Sequence, residues 1–85
     1  MTIENPGIIR VKGISDLLAR FEDTFVTGVE LSAREFSAEE RAQNTRENWG
    51  IPVFANGQVF AIVSLTGTDS VELVRNALPR LHRPE

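Results

Sequence analysis

The chain has 85 residues, 41% of them hydrophobic and 25% charged, and its nine Lys and Arg against twelve Asp and Glu give a net charge of −3. This composition is typical of one ordinary globular domain and not of a disordered segment. The absence of cysteine excludes disulfide, thiol-redox, zinc-thiolate and cysteine-nucleophile chemistry. Arginines scattered among carboxylates indicate no nucleic-acid partner, because single-domain nucleic-acid binders usually carry a basic patch.

The sequence shows neither the pattern of a secretory signal peptide nor that of a membrane-spanning helix. The N-terminal segment lacks the basic region and apolar core of a secretory signal peptide. The longest apolar run is far shorter than a membrane-spanning helix requires. We therefore expect one cytoplasmic domain over residues 1–85, with no membrane partner. Residues 1–7 hold a turn sequence and residues 80–85 are polar, so both should be loose termini.

The first half of the chain predicts a strand, a helix and a second strand. Residues 8–11 form a short β-prone run. A helix should follow at 15–23, with Ser15 as its N-cap and Asp16 near the positive end of its dipole. Its apolar residues recur at helical spacing and form one face: Ile14, Leu17, Leu18 and Phe21. Residues 29–33 alternate apolar and polar side chains, which favours a strand near a sheet edge.

A second helix is predicted after this strand. Ser37 and Glu40 have the Ser-x-x-Glu spacing of a capping box, in which each side chain bonds the other residue's backbone. The helix should run to about Trp49 and stop at Gly50, because glycine is favoured just after a helix end. Pro52 lies two residues beyond and cannot continue the helix.

The strongest local pattern is a hairpin. Two apolar runs, 51–55 and 59–65, flank Asn56-Gly57, the dipeptide that best favours a tight two-residue turn. The second run is almost wholly apolar, so both of its faces should be covered.

A last helix should follow, with either Thr68 or Asp69 as its N-cap. Its regular geometry should fray at Leu78, because Pro79 disfavours helical dihedrals in the preceding residue. The element order β-α-β-α-β-β-α then predicts an α/β fold with a mixed four-stranded sheet and helices on both faces. Two βα units imply parallel pairing through right-handed crossovers, and the hairpin adds an antiparallel edge.

This order, together with Gly50-Ile51-Pro52 followed by Asn56-Gly57, resembles the thioredoxin-like proteins. In that family a proline enters the third strand through a cis bond, and a glycine turn leads to the fourth. The resemblance implies that the Ile51–Pro52 bond is cis and that refolding has a slow phase. It also implies that residues 8–11 pair in parallel with both 29–33 and 51–55, with 59–65 at the far edge.

The redox chemistry of the family is missing from this chain. The family's cysteine pair should lie where the first strand meets the first helix, and Gly13-Ile14-Ser15-Asp16 occupies that place. The resemblance therefore implies a redox-inactive member, a class in which the fold serves as a binding or assembly module. We expect non-enzymatic contact with a protein partner or with another copy of the chain, and no cofactor. The contact residues should be Ile14, Trp49, Ile51 and Pro52, at one end of the sheet.

A second interpretation stays open. The chain could be a small enzyme, or a ligand-binding subunit of a homo-oligomer, with a pocket that no motif reveals. No nucleophile with its base, metal-ligand set or phosphate loop is visible in the sequence. His82 is the single histidine, and one histidine without a second ligand does not make a metal site. Trp49 could anchor a partner or simply fill the wide end of its helix.

Overall fold

The computed structural model describes residues 8–43 and 50–84. Within these ranges the fold is α/β, with a mixed four-stranded sheet and three helices, which confirms the coarse architecture. The elements are β1 (Ile9–Val11), α1 (Ile14–Phe21), β2 (Phe25–Val26), β3 (Leu31–Ala33), α2 (Ala38–Gln43), β4 (Ile51–Ala55), β5 (Gln58–Val63), α3 (Ser70–Ala77), a 3-10 turn (Leu78–Leu81) and β6 (His82–Arg83). The predictions for Trp49, for the end of the second helix and for residues 1–7 lie outside the described residues.

The hairpin is confirmed, with β4 and β5 joined at Asn56 and Gly57. Both turn residues have positive φ, 52° and 85°, as a type I′ turn requires. Asn56 also fixes the next strand, because its backbone N–H donates to the Glu30 carbonyl at 2.8 Å. Its side-chain Oδ1 accepts from the Glu30 N–H at 2.9 Å. The turn thus sets the register of β3 against β4.

The strand order is β1-β5-β4-β3, which contradicts the predicted pairing. β1 pairs in parallel with β5 and with neither 29–33 nor 51–55, while β4 is antiparallel to β5 and to β3. β5 is therefore a central strand and not an edge. Its apolar sequence explains this position, because a central strand covered on its faces is shielded from water throughout. β3 lies at an edge, as its alternating sequence predicted.

The peptide bond of Pro52 is trans. The pairing of β4 with β3 ends before Pro52, so the sheet tolerates a residue that has no N–H. The prediction of a cis bond is therefore wrong, and the predicted slow refolding phase loses the cause that the resemblance gave it. Because Asn56 bonds toward β3, the backbone groups of Phe54 and Pro52, two and four residues earlier, face that side as well. Pro52 lies one residue past the last pair of that ladder, Ala33 with Val53. Its missing N–H therefore costs no ladder hydrogen bond, and no cis peptide is needed.

One face of the sheet is covered by α1 and α3, which contact each other and the strands. The core between them is apolar: Val11, Leu17, Ala33, Ile51, Val53, Ala61, Val63, Val74, Leu78 and Leu81. On the opposite face Ile62 and Pro52 are also buried. Helix cover of that second face is not confirmed, since the described side chains of α2 are mostly exposed. Val53, Ile62 and Val74 are buried, whereas Phe21 and Phe54 are only half-buried.

A bulge in β5 explains how an aromatic cluster forms beside this core. Phe54 pairs with Val59 and Val53 with Ala61, so Phe60 is the extra residue. Its ring contacts Phe21 at 5.0 Å and Phe25 at 4.8 Å between centroids. The bulge thus turns Phe60 toward α1 and extends the apolar core to β2.

The C-terminal segment (residues 78–84) packs against the rest of the domain, which differs from the loose tail predicted for residues 80–85. Leu81 is fully buried, and β6 pairs in parallel with β2. The Thr27 hydroxyl donates to the Arg83 carbonyl at 3.0 Å, and the Asp23 N–H donates to the Arg80 carbonyl at 3.2 Å. A strand of two residues is too short to show an alternation of apolar and polar side chains. The sequence therefore gave no signal for β6, and its polar residues favoured a loose tail.

Candidate functional site

One end of the sheet brings together the parts of the chain most suited to binding. Val11 of β1 pairs with Val63 of β5, and Val63 pairs with Ile51 at the start of β4. The C-terminal ends of the two parallel strands therefore lie here, and α1 and α3 begin just after them. In open α/β sheets, ligands commonly bind outside the carboxyl ends of the strands.

A cleft of about 170 Å³ opens at this end of the sheet. Its lining is Glu35, Arg41, Gly50, Ile51, Leu65, Thr66, Gly67 and Ser70. Ile51 and Leu65 supply apolar surface, while a carboxylate, a guanidinium and two hydroxyls supply polar groups. The cleft is thus an apolar recess with a polar rim.

Ser70 closes the cleft at the start of α3 and is a structural residue. It is 4% exposed, and its hydroxyl donates to the Gly67 carbonyl at 3.1 Å. Its backbone N–H donates to the same carbonyl at 3.3 Å. Asp69 is the N-cap of α3, one of the two predicted positions, but its side chain makes no cap hydrogen bond. Gly67 has φ of 119°, a conformation that favours glycine.

The loop that carries Glu35 is fixed by a network of hydrogen bonds. Arg34 donates to both carboxylate oxygens of Glu40, at 2.8 and 2.9 Å, and to the Glu35 carbonyl at 3.0 Å. The predicted capping box is confirmed: the Ser37 N–H donates to Glu40 at 2.8 Å, and the Glu40 N–H donates to the Ser37 hydroxyl at 3.1 Å. The Arg34 guanidinium also lies 4.9 Å from the Phe54 ring centroid.

These contacts change the acidity of Glu40. The hydrogen bonds from Arg34, and then that from the Ser37 backbone, lower the pKa of Glu40 to about 2. The same pairing raises the pKa of Arg34. Both groups therefore stay charged over the whole physiological range.

Gly50 allows the chain to enter β4 close to its neighbour strand. A Cβ at this position would lie 2.5 Å from the Val63 carbonyl oxygen and 2.8 Å from Ile62 Cγ2. Neither distance is compatible with van der Waals contact, so a larger residue would push β4 away from β5. The narrow base of the cleft depends on this glycine.

The predicted contact residues are distributed differently around this end. Ile14 is half-buried at the start of α1, and Ile51 lines the cleft although it is only 5% exposed. Pro52 is fully buried, which leaves it no surface for a partner in this conformation. Ile14 and Ile51 do lie at the same end of the sheet, as expected. Trp49 is outside the described residues.

Sequence reasoning missed Glu35, Leu65 and Thr66 as lining residues. For Leu65 and Thr66 a signal existed, since they follow an apolar strand and precede a helix, where α/β proteins place their binding loops. Glu35 had no such signal, because the fixed loop after β3 depends on the pairing between Arg34 and Glu40.

The described part of the chain holds no group of three His, Asp or Glu side chains arranged for a metal ion. Within residues 8–43 and 50–84, no helix combines the length and apolar composition needed to cross a bilayer. No protein-family model matches the chain, and no curated protein or solved structure matches it either. Membership of the thioredoxin-like proteins thus stays a prediction, although the strand pairing inferred from it is wrong.

Proposed function

We propose that this protein is a non-enzymatic binding module, and that it holds one side chain of a protein partner in the cleft. The observation that carries the proposal is the size of the cleft, about 170 Å³. Sites for cofactors and drug-sized ligands are usually about 300–1,000 Å³. A recess of this smaller volume suits a single apolar side chain better than a whole organic ligand.

The lining supports an apolar anchor with polar surroundings. Ile51 and Leu65 form the apolar part of the lining, and burial of one aliphatic or aromatic side chain against such a surface contributes about 1.5–3 kcal/mol. Thr66 and Glu35 lie at positions that can accept or donate hydrogen bonds to the partner's backbone. An anchor of this kind gives useful affinity only with further contacts around it, as at the centre of other protein interfaces.

Filling the cleft tests this proposal. Thr66 is exposed and lines the cleft, so Thr66→Phe should occupy it without disturbing the core. Thr24→Phe is the matched control, because Thr24 is equally exposed but follows α1 and does not line the cleft. The measurement is affinity capture from the native host's extract with quantitative mass spectrometry. A partner retained by wild type and Thr24→Phe but lost by Thr66→Phe supports the proposal, and equal recovery by all three contradicts it.

A second candidate function, a small-ligand-binding subunit, is favoured by the position of the cleft at the carboxyl ends of β1 and β5. The Glu35 carboxylate would then select a ligand with a hydrogen-bond donor or a positive charge. The probe is the small-molecule fraction of the same extract in a thermal-shift assay, since a ligand that binds only the folded chain raises Tm. A rise in wild type and Thr24→Phe that is absent in Thr66→Phe would favour this candidate. Stabilisation by the protein fraction alone would favour the module.

A further inference from the structure

The hairpin turn holds the only Asn-Gly dipeptide of the chain, since every other asparagine is followed by a larger residue. A glycine after asparagine leaves its backbone nitrogen an open path to the asparagine side chain, because glycine has no Cβ. The Gly57 N–H and the Asn56 Nδ2 make no hydrogen bond to a described residue. Both residues are exposed, so water reaches every group that a deamidation needs.

Deamidation at this dipeptide requires only water. The Gly57 nitrogen loses its proton and bonds to the Asn56 Cγ, the Cγ–Nδ2 bond breaks, and Nδ2 takes up a proton and leaves as ammonia. Water then opens the resulting five-membered succinimide at either of its two carbonyls. One product is an ordinary aspartate. The other is an isoaspartate, in which the main chain runs through Cγ and is one carbon longer.

The fold opposes this reaction through two hydrogen bonds between the turn and Glu30, the residue just before β3. The Asn56 N–H donates to the Glu30 carbonyl at 2.8 Å, and the Asn56 Oδ1 accepts from the Glu30 N–H at 2.9 Å. Ring closure needs rotation about the Cα–C and Cα–Cβ bonds of Asn56. The type I′ turn restrains the first rotation and the contact with Glu30 restrains the second. Asn56 therefore reacts from a conformation in which Glu30 has moved away.

We propose that Asn56 is a site of spontaneous deamidation, that attachment of residues 30–33 controls its rate, and that the isoaspartate product releases these residues. The extra main-chain carbon does not fit a two-residue turn, and it displaces the acceptor of the Glu30 N–H. β3 is an edge strand with three residue pairs to β4, so few other bonds hold it. Loss of ammonia is irreversible, so one opening of this edge becomes permanent. The cleft plays no part, because neither Asn56 nor Glu30 lines it.

The rate of deamidation tests the control by residues 30–33. Wild type is kept in mildly alkaline buffer, folded or unfolded in urea, and Asn56 is followed by peptide mapping with mass spectrometry. The folded chain should deamidate at least about tenfold more slowly, because residues 30–33 must first open. Glu30→Pro lacks the N–H that holds Oδ1, so its folded form should react about twofold to tenfold faster than folded wild type.

A second variant loosens the other end of β3 without changing the turn. Arg75→Ala removes the donor to the Ala33 carbonyl, a bond of 3.0 Å, and should also accelerate deamidation of the folded chain. Arg20→Ala is the matched control, since it removes the same charge from α1, where Arg20 pairs with Asp16. Circular dichroism confirms that each variant is folded, and Arg75→Ala keeps the test valid if Glu30→Pro is not.

Hydrogen exchange of the separated products tests the release of β3. Ser32 pairs with Phe54, and its N–H should exchange at least about tenfold faster in the isoaspartate product than in wild type. Asn56→Asp is the control, because it adds the charge without the extra carbon and keeps an acceptor for the Glu30 N–H. It should exchange like wild type. Equal deamidation rates in the folded and unfolded chains would overturn the proposal, as would unchanged rates in the folded opening variants or unchanged Ser32 exchange in the isoaspartate product.

Discussion

The hairpin β4–β5 and the C-terminal segment (residues 78–84) both contribute to the core, but they are held in different ways. The hairpin is held by hydrogen bonds between residues close in sequence, across a turn that Asn56 and Gly57 define. The C-terminal segment is held by residues more than fifty positions away, as in the bonds from Thr27 to Arg83 and from His82 to Val29. The hairpin thus depends on contacts local in sequence, whereas the C-terminal segment depends on long-range contacts.

This difference bears on how stability is distributed. Long-range contacts cost more loop-closure entropy, so they form when other packing already holds the chain. The ion pair of Arg80 with Glu22 and the pairing of β6 with β2 tie the C-terminal segment to the end of α1. The C-terminal segment is therefore attached to the part of the chain that follows α1.

The largest expected effect tests whether the two regions are equal parts of one core. Leu81 is fully buried and Ile62 is 5% exposed. Leu81→Ala and Ile62→Ala should each lower the free energy of unfolding by about 2–5 kcal/mol, through lost burial and a residual cavity. Urea denaturation measures both, and Leu73→Ala, at a half-exposed site, should stay within about 0.5 kcal/mol of wild type. A cost under about 1 kcal/mol for Leu81→Ala alone would show that the C-terminal segment unfolds separately.

The same contrast explains what the sequence could and could not predict. The hairpin, the capping box and the helices α1 and α3 follow from local patterns, and the structure has them close to the expected positions. The partner of β1 depends on which strand is central, and the family layout placed 59–65 at an edge. That placement is wrong, since β5 is a central strand, a position with which its apolar composition is compatible.

The candidate site was predictable only in its location. Ile14 and Ile51 lie at one end of the sheet, where helix starts and strand ends meet, while their contact with a partner stays a prediction. The cleft itself depends on the approach of Gly50 to β5 and on the loop fixed by Arg34. Neither contact has a sequence signature, because each joins residues whose proximity follows from the tertiary fold.

A smaller effect should follow from crowding the start of the hairpin. In Gly50→Ala the new Cβ would meet the Val63 carbonyl and Ile62, so the strands must separate at a cost of about 1–3 kcal/mol. Gly13→Ala is the control, because nothing lies within 4 Å of a Cβ there. Thermal unfolding followed by circular dichroism measures both variants. If the two alanines cost the same, close packing at Gly50 does not limit the hairpin.

Loss of a single long-range hydrogen bond of the C-terminal segment should lower the free energy of unfolding by less than Gly50→Ala does. His82→Ala removes the donor to the Val29 carbonyl and should lower stability by about 1 kcal/mol. His82→Gln retains an N–H donor of similar reach and should recover part of this loss. Urea denaturation of the three proteins makes the comparison. Equal losses in the two variants would mean that the imidazole acts through packing and not through its hydrogen bond.

The smallest effect concerns the pairing of Arg34 and Glu40 at the start of α2, and its size should depend on pH. Because the folded-state pKa of Glu40 is about 2, below the ordinary value of a glutamate, the ionised form is bound more strongly in the folded chain. The contribution of the ionised Glu40 carboxylate to the free energy of unfolding is therefore complete above about pH 5 and is lost as the pH falls toward 2. Partial exposure of Arg34 and Glu40 limits its size.

Glu40→Gln should lower Tm at pH 6, and the difference from wild type should shrink as the pH falls from 5 to 2, because protonation removes the same charge from wild type. Glu39→Gln, at the exposed neighbouring position, is the control for the loss of a negative charge. NMR titration of the side-chain carboxyls gives an independent reading. The Glu40 midpoint should rise toward the ordinary range in Arg34→Gln, because the guanidinium supplies its strongest hydrogen bonds. A Tm difference that is constant with pH would show that Glu40 acts as a neutral cap and that its pairing with Arg34 adds nothing to stability.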